Sequence, residues 1–242
     1  KLVRLWDGDF MQRIDKFVSS QTSLSRNDVK KLLKKGLIKV NGNTIGKSNC
    51  LVDENNDVIT VNGEEINYKK YVYLVLNKPK GYVSATNDSS CATVIDLCPP
   101  DFLNRNLFPV GRLDKDTTGL MIISDDGDFA HNILSPKKHV SKKYYVELSG
   151  DLRDEMVEDF RNGISLNDGE CKSSILEIID KRSCYVTLTE GRYHQIKRMF
   201  GCYGLDVLEL KRIRIGNLDL PSDLEIGESR ELTEDELKKI TE

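Results

Sequence analysis

A chain of 242 residues can bury a sizeable core in one or two domains, and its 38% hydrophobic and 31% charged residues describe a soluble globular protein. No run of about 18 apolar residues is present to cross a bilayer, no signal peptide is visible, and six cysteines without a C-x-x-C pair exclude a disulfide scaffold and fit reduced thiols in the cytoplasm. A net charge of -3 and a pI near 5.8 exclude a uniformly basic nucleic-acid binder. The charge is nevertheless uneven. Residues 1–70 carry 13 Lys+Arg against 9 Asp+Glu, residues 192–214 carry 6 against 2, and residues 217–242 carry 3 against 9. Local potential within a Debye length of about 10 Å governs phosphate binding, so two basic segments on an acidic chain are compatible with RNA.

Residues 1–10 have no periodicity and read as an extension ahead of a native start near Met11. Ile14, Phe17 and Val18 recur at i, i+3 and i+4 and predict a short amphipathic helix. Ser25-x-x-Asp28 predicts the start of a second, with a side-chain acceptor for the orphan amides and a carboxylate in the first turn. Val29, Leu32 and Leu33 form its core stripe and Gly36 its stop. Arg26, Lys30, Lys31, Lys34 and Lys35 crowd the remaining surface. Such a run is usually a solvated face, but with only Asp28 against five cations a phosphate-tracking surface is favoured. Residues 37–42 and 58–63 predict two short strands, each ending in an Asn-Gly turn, and residues 68–71 a linker.

From Tyr73 the texture changes to strands with interspersed helices. Tyr73-Leu74-Val75-Leu76 predicts a strand running into the turn Asn77-Lys78-Pro79-Lys80-Gly81, whose lysines are candidate phosphate ligands. In Gly111-Arg112-Leu113-Asp114-Lys115-Asp116-Thr117-Thr118-Gly119, two glycines bracket one arginine and two carboxylates, and the apolar Leu120-Met121-Ile122-Ile123 follows; this predicts a catalytic loop feeding a core segment. The alternating oxygens overlap a calcium-loop pattern, but Pro109 and Gly111 interrupt the place of the entering helix. Residues 129–134 predict a helix stopped by Pro136, and residues 143–148 an alternating strand with Tyr144, Val146 and Leu148 on one face. Residues 152–160 read as a helix, and 174–179 and 184–189 as antiparallel strands. After Gly191 a second informative helix is expected, with Tyr193, Ile196, Met199 and Phe200 as its apolar stripe and His194, Lys197 and Arg198 as its cationic one. A strand through Leu208 and Leu210, the basic Lys211-Arg212-Ile213-Arg214 and a final helix capped by Thr233-x-x-Glu236 complete the chain.

Gly-Arg-Leu-Asp at 111–114, with the blocks at 76–84, 142–146 and 191–200 in the same order, resembles the pseudouridine synthases, and the RsuA-type branch in particular. The first two helices and the strand ending Val40-Asn41-Gly42 resemble the S4 RNA-binding domain. The resemblance implies an α+β protein: an S4-like domain over residues 11–68, a linker over 69–72, and a catalytic domain over 73–242 with a mixed, largely antiparallel sheet and flanking helices. It implies isomerisation of one uridine in ribosomal RNA, closer in its 193–199 motif to small-subunit than to large-subunit enzymes, by a cytoplasmic monomer acting on rRNA or a pre-ribosomal particle, with no cofactor, metal or membrane. Asp114, Tyr144 and Lys197 take the catalytic places; Arg112, Lys78, Arg192, His194, Arg198, Arg26, Lys30, Lys31 and Lys34 take RNA. Two rivals stand beside it: a non-catalytic S4-type RNA binder, which has no need of Asp114, and a hydrolytic glycosidase using Asp114 and Asp116.

Overall fold

The computed structural model describes residues 11–135, 138 and 140–241; the extension expected at residues 1–10, and Pro136, lie outside them. Contacts divide the described residues into two compact units, one formed by those from 11 to 72 with 99–106, the other by those from 73 to 98 and from 107 to 241.

In the first unit the apolar spacing gives helix α1 (Ile14–Gln21) and helix α2 (Arg26–Lys34), the latter capped by Ser25 Oγ, which accepts from the Asp28 amide. Ile14, Phe17, Val18, Val29 and Leu33 bury their stripes with Ile38, Val52 and Ile59. Asn41 and Gly42, and Asn62 and Gly63, all have positive φ, as two-residue hairpin turns require. Residues 99–106 join this unit: Asn104 Nδ2 donates to the carbonyls of Thr22 and Leu24, and the Arg105 guanidinium to those of Lys69 and Lys70. The expected linker at 68–71 is thus tied at two of its carbonyls.

The second unit is built on one sheet. Its main strands are β1 (Tyr73–Lys78), β2 (Thr118–Ser124), β3 (Lys142–Leu148), β4 (Ile175–Ile178), β5 (Ser183–Leu188), β6 (Val207–Ile215) and β7 (Ser229–Glu231), in the order β4-β5-β3-β6-β2-β1-β7. Every pairing along that path is antiparallel except β6 with β2. Helix α3 (Gly127–Leu134) and helix α6 (Glu234–Thr241) contribute Ala130, Ile133 and Ile240 to a core with Val75, Leu120, Ile122 and Ile215. Helix α4 (Glu155–Asn162) and helix α5 (Gln195–Gly201) contribute Met156, Phe160, Ile196, Met199 and Phe200 to another with Val146, Leu148, Cys184 and Val186. Each such large apolar side chain contributes about 2 kcal/mol by leaving water. The Thr233–Glu236 capping box forms in both directions, at 3.2 and 2.9 Å.

Three boundaries differ from the sequence expectation. Helix α4 starts at Glu155, three residues late, and α5 starts only at Gln195, leaving Tyr193 and His194 outside it. The basic stretch Lys211 to Arg214 does not follow the strand but is part of β6, and Arg212 is buried within it. The β6–β2 pairing sets Arg212 opposite Gly119, where a β-carbon would stand 2.2 Å from the Arg212 carbonyl oxygen at a φ of +97°. Only glycine fits there, which is why the loop at 111–119 ends on one.

Candidate active site

The loop carrying Asp114 enters β2, and its shape is fixed from β1 and the turn after it. Lys78 was expected to reach for phosphate; instead its side chain turns inward, wholly buried. Its Nζ donates to the carbonyls of Thr117 at 2.8 Å, Pro79 at 3.0 Å, Asp114 at 3.1 Å and Lys115 at 3.3 Å. A buried ammonium needs such partners, and these carbonyls converge only because the loop curls over it. Burial pushes Lys78 down to about 8, with the carboxylates of Asp116 and Asp114 pulling the other way. Ser84 Oγ donates to the Leu113 carbonyl at 2.7 Å and accepts from the Leu113 amide at 3.0 Å, and the Gly81 amide donates to Lys115. The backbone is therefore held immediately before, at and after Asp114.

The Asp114 side chain itself is 26% exposed, and no described residue donates a hydrogen bond to it. His194 Nε2 lies 3.5 Å from Oδ1 and Lys197 Nζ 3.5 Å from Oδ2. At that distance neither is a close donor. Lys197 makes its short bonds elsewhere, to both carboxylate oxygens of Asp116 at 2.8 Å, and that hydrogen bonding holds Asp116 below the usual carboxylate range. Asp116 holds Lys197, while Lys78 and Ser84 hold the loop.

Tyr144 comes to the same end of the sheet through register. It pairs with Arg212 on β6, which pairs with Gly119 on β2, so the three form a row across adjacent strands at the point where the loop enters. A register shift between Lys143 and Tyr144 marks a bulge, the usual means of re-aiming a strand side chain. The ring is partly buried against the Val146 and Leu148 core. Arg212 donates from Nε to the Leu120 carbonyl at 2.7 Å.

The other expected RNA ligands separate into two groups. Arg112 is exposed, with no partner among the described residues, and Arg26, Lys30, Lys31 and Lys34 line the exposed face of α2, Lys31 pairing with Asp28 at 2.9 Å. Arg192 and Arg198 are engaged inside the protein. Arg198 grips Asp168 with its guanidinium fork, and Arg192 donates to the carbonyls of Gly169, at 2.9 Å, and Glu170. Their expected role at RNA gives way to an internal one, because Asp168 lies on the turn of the hairpin Ser165–Leu166 and Gly169–Glu170, beside the start of α5. Ser84, the last residue of the 76–84 block, and Asp168 have no role assigned from the sequence; both act across gaps of 29 or 30 residues.

Chemically, the arrangement offers one unencumbered carboxylate flanked by two cationic or potentially cationic groups. It does not suit the glycosidase rival, whose second carboxyl group must carry a proton at working pH: Asp116 is shifted the other way. It does not suit a calcium loop either, because the ligand positions from Thr118 to Ser124 are an extended strand.

An RNA pseudouridylate synthase family model matches residues 72–201, and an S4 domain model residues 12–58. Over 95% of its length the chain is 40% identical to an uncharacterized RNA pseudouridine synthase of Bacillus subtilis (strain 168), covering 98% of that protein. It is 36% identical, over 94% of its length and 99% of the relative's, to ribosomal small subunit pseudouridine synthase A of Escherichia coli (strain K12). A crystal structure of a pseudouridylate synthase superposes with a TM-score of 0.67 at 34% identity, covering 94% of this chain and 99% of that one.

Proposed function

We propose that this chain, which belongs to the RNA pseudouridylate synthase family, converts one uridine of small-subunit ribosomal RNA to pseudouridine with Asp114 as the reacting carboxylate. The observation that carries the assignment of Asp114 is its partly exposed carboxylate, to which no described residue donates a hydrogen bond, on a backbone pinned by Lys78 and Ser84. In the isomerisation the N1–C1′ bond breaks, the uracil turns in the pocket, C5 bonds to C1′, the C5 proton leaves and N1 gains one. Asp114 serves as nucleophile or base in that sequence. Lys197 and His194 each stand 3.5 Å from it. The target must leave the RNA stack, and Tyr144 is assigned to receive the flipped base. The small-subunit assignment is supported by the name of the Escherichia coli relative and by the 193–199 motif.

The test uses unmodified transcripts of both ribosomal RNAs of the source organism, incubated with the protein and read by carbodiimide-dependent reverse-transcription stops. One new stop in the small-subunit transcript is expected. Stops only in the large-subunit transcript would overturn the substrate, and none in either, nor in assembly intermediates, the activity.

The S4 domain supplies affinity in this scheme. Replacing Lys30 and Lys34 with Gln removes two exposed cations and should weaken rRNA binding while lowering the slope of log K against log salt by up to roughly 0.7–0.9 per lost phosphate contact. An unchanged slope in a salt titration would show that this face is merely solvated.

A further inference from the structure

We propose that Tyr193 and His194 form a stacking platform for the base next to the target uridine. The inference rests on the function proposed above and extends it to residues outside the chemistry.

Tyr193 is 73% exposed, lies outside both cores of its unit, and its hydroxyl has no partner among the described residues. Its ring stacks on that of His194, with centroids 3.8 Å apart and planes 18° from parallel. His194 adopts a left-handed backbone, φ 49° and ψ 34°, which a β-carbon disfavours. Such a conformation persists only where its surroundings over-determine it. Here they do. Arg198 donates to the Tyr193 carbonyl at 3.2 Å while its fork grips Asp168. Buried Gln195 accepts from the Arg192 amide at 3.0 Å and donates to Glu190 at 2.7 Å, and the Arg192 guanidinium is fixed on the hairpin carbonyls. The clamp formed by Arg192, Arg198 and Asp168 thus fixes the backbone that carries a pair of stacked rings which no core requires. Those rings are adjacent to the reaction, since His194 Nε2 is 3.5 Å from the Asp114 carboxylate.

An exposed aromatic held this firmly suits a flat π-face, and RNA supplies one in every base. With the flipped uridine assigned to Tyr144, the pair beside Asp114 is left for a neighbour of that uridine.

The experiment uses the full chain and a transcript spanning the uridine mapped above, with each flanking nucleotide in turn made abasic. Tyr193→Ala should lower kcat/KM roughly tenfold, mainly through KM, and Tyr193→Phe should restore it. One abasic flank should lower the wild type by a similar factor and leave Tyr193→Ala almost unaffected, the non-additivity that marks a direct pair. Losses that multiply independently, or an Ala variant equal to the wild type on intact RNA, or a loss confined to kcat, would overturn the platform while the wild-type activity stands. Absence of pseudouridine with the wild type would overturn the parent function and this proposal with it.

Discussion

Lys78→Met should cost about 3 kcal/mol or more in folding stability and lower turnover of the folded protein roughly tenfold. The methionine refills most of the volume, but carbonyls of Pro79, Asp114 and Thr117 lose their donor in a buried place, each at about 1–3 kcal/mol. The rate loss follows from displacement of Asp114, since a misplacement of about 1 Å can cost roughly a hundredfold and the Ser84 and Gly81 contacts restrain the loop to less than that. The wild type should show a matching pH signature. Lys78 titrates at about 8 in the fold and near 10.5 when unfolded. Between those values the unfolded chain binds more protons, so this group's contribution to stability rises with pH there. Activity should move oppositely, because the neutral amine has two hydrogens rather than three for the loop carbonyls. Denaturant midpoints and initial rates measured from pH 7 to 9.5 check both directions; parallel trends would show that the ammonium does not hold the loop.

The elements most legible in the sequence were those whose cause is local. Ile14, Phe17 and Val18 fall on one face of α1, Ser25 and Thr233 cap their helices, and the two Asn-Gly pairs turn as read. The α+β class with a mixed, largely antiparallel sheet followed from the family resemblance. What misled was the behaviour of cations. Hydrophobic periodicity reports where apolar groups go, and it is blind to a charge that is buried by carbonyls 36 to 39 residues away, as Lys78 is. Arg192 and Arg198 were read as RNA ligands because the partner that takes Arg198, Asp168, sits in an unremarkable turn. Tyr193 was placed on a helical stripe because i, i+3 spacing continued backwards past the true start of α5, where the left-handed His194 breaks the helix.

Asp114→Asn should abolish pseudouridine formation, a loss of roughly a thousandfold or more, while folding and RNA binding survive. The amide is nearly isosteric. The hydrogen bonds from Lys78 and Ser84 reach the loop's main chain, and among the described residues none is donated to the Asp114 carboxylate, so the substitution removes chemistry without removing that support. Asp116→Asn acts differently: it loosens Lys197, which sits 2.8 Å from Asp116 and 3.5 Å from Asp114, and should cost only about tenfold. The decisive measurement is pseudouridine formed per small-subunit rRNA molecule, counted by carbodiimide-dependent stops beside a binding curve, for the wild type and both variants. One pseudouridine per molecule with the wild type, a slower approach to one with Asp116→Asn and none with Asp114→Asn at undiminished affinity is the predicted result. Substantial product from Asp114→Asn, or equal loss from both variants, would contradict the assignment of the reaction to a single carboxylate.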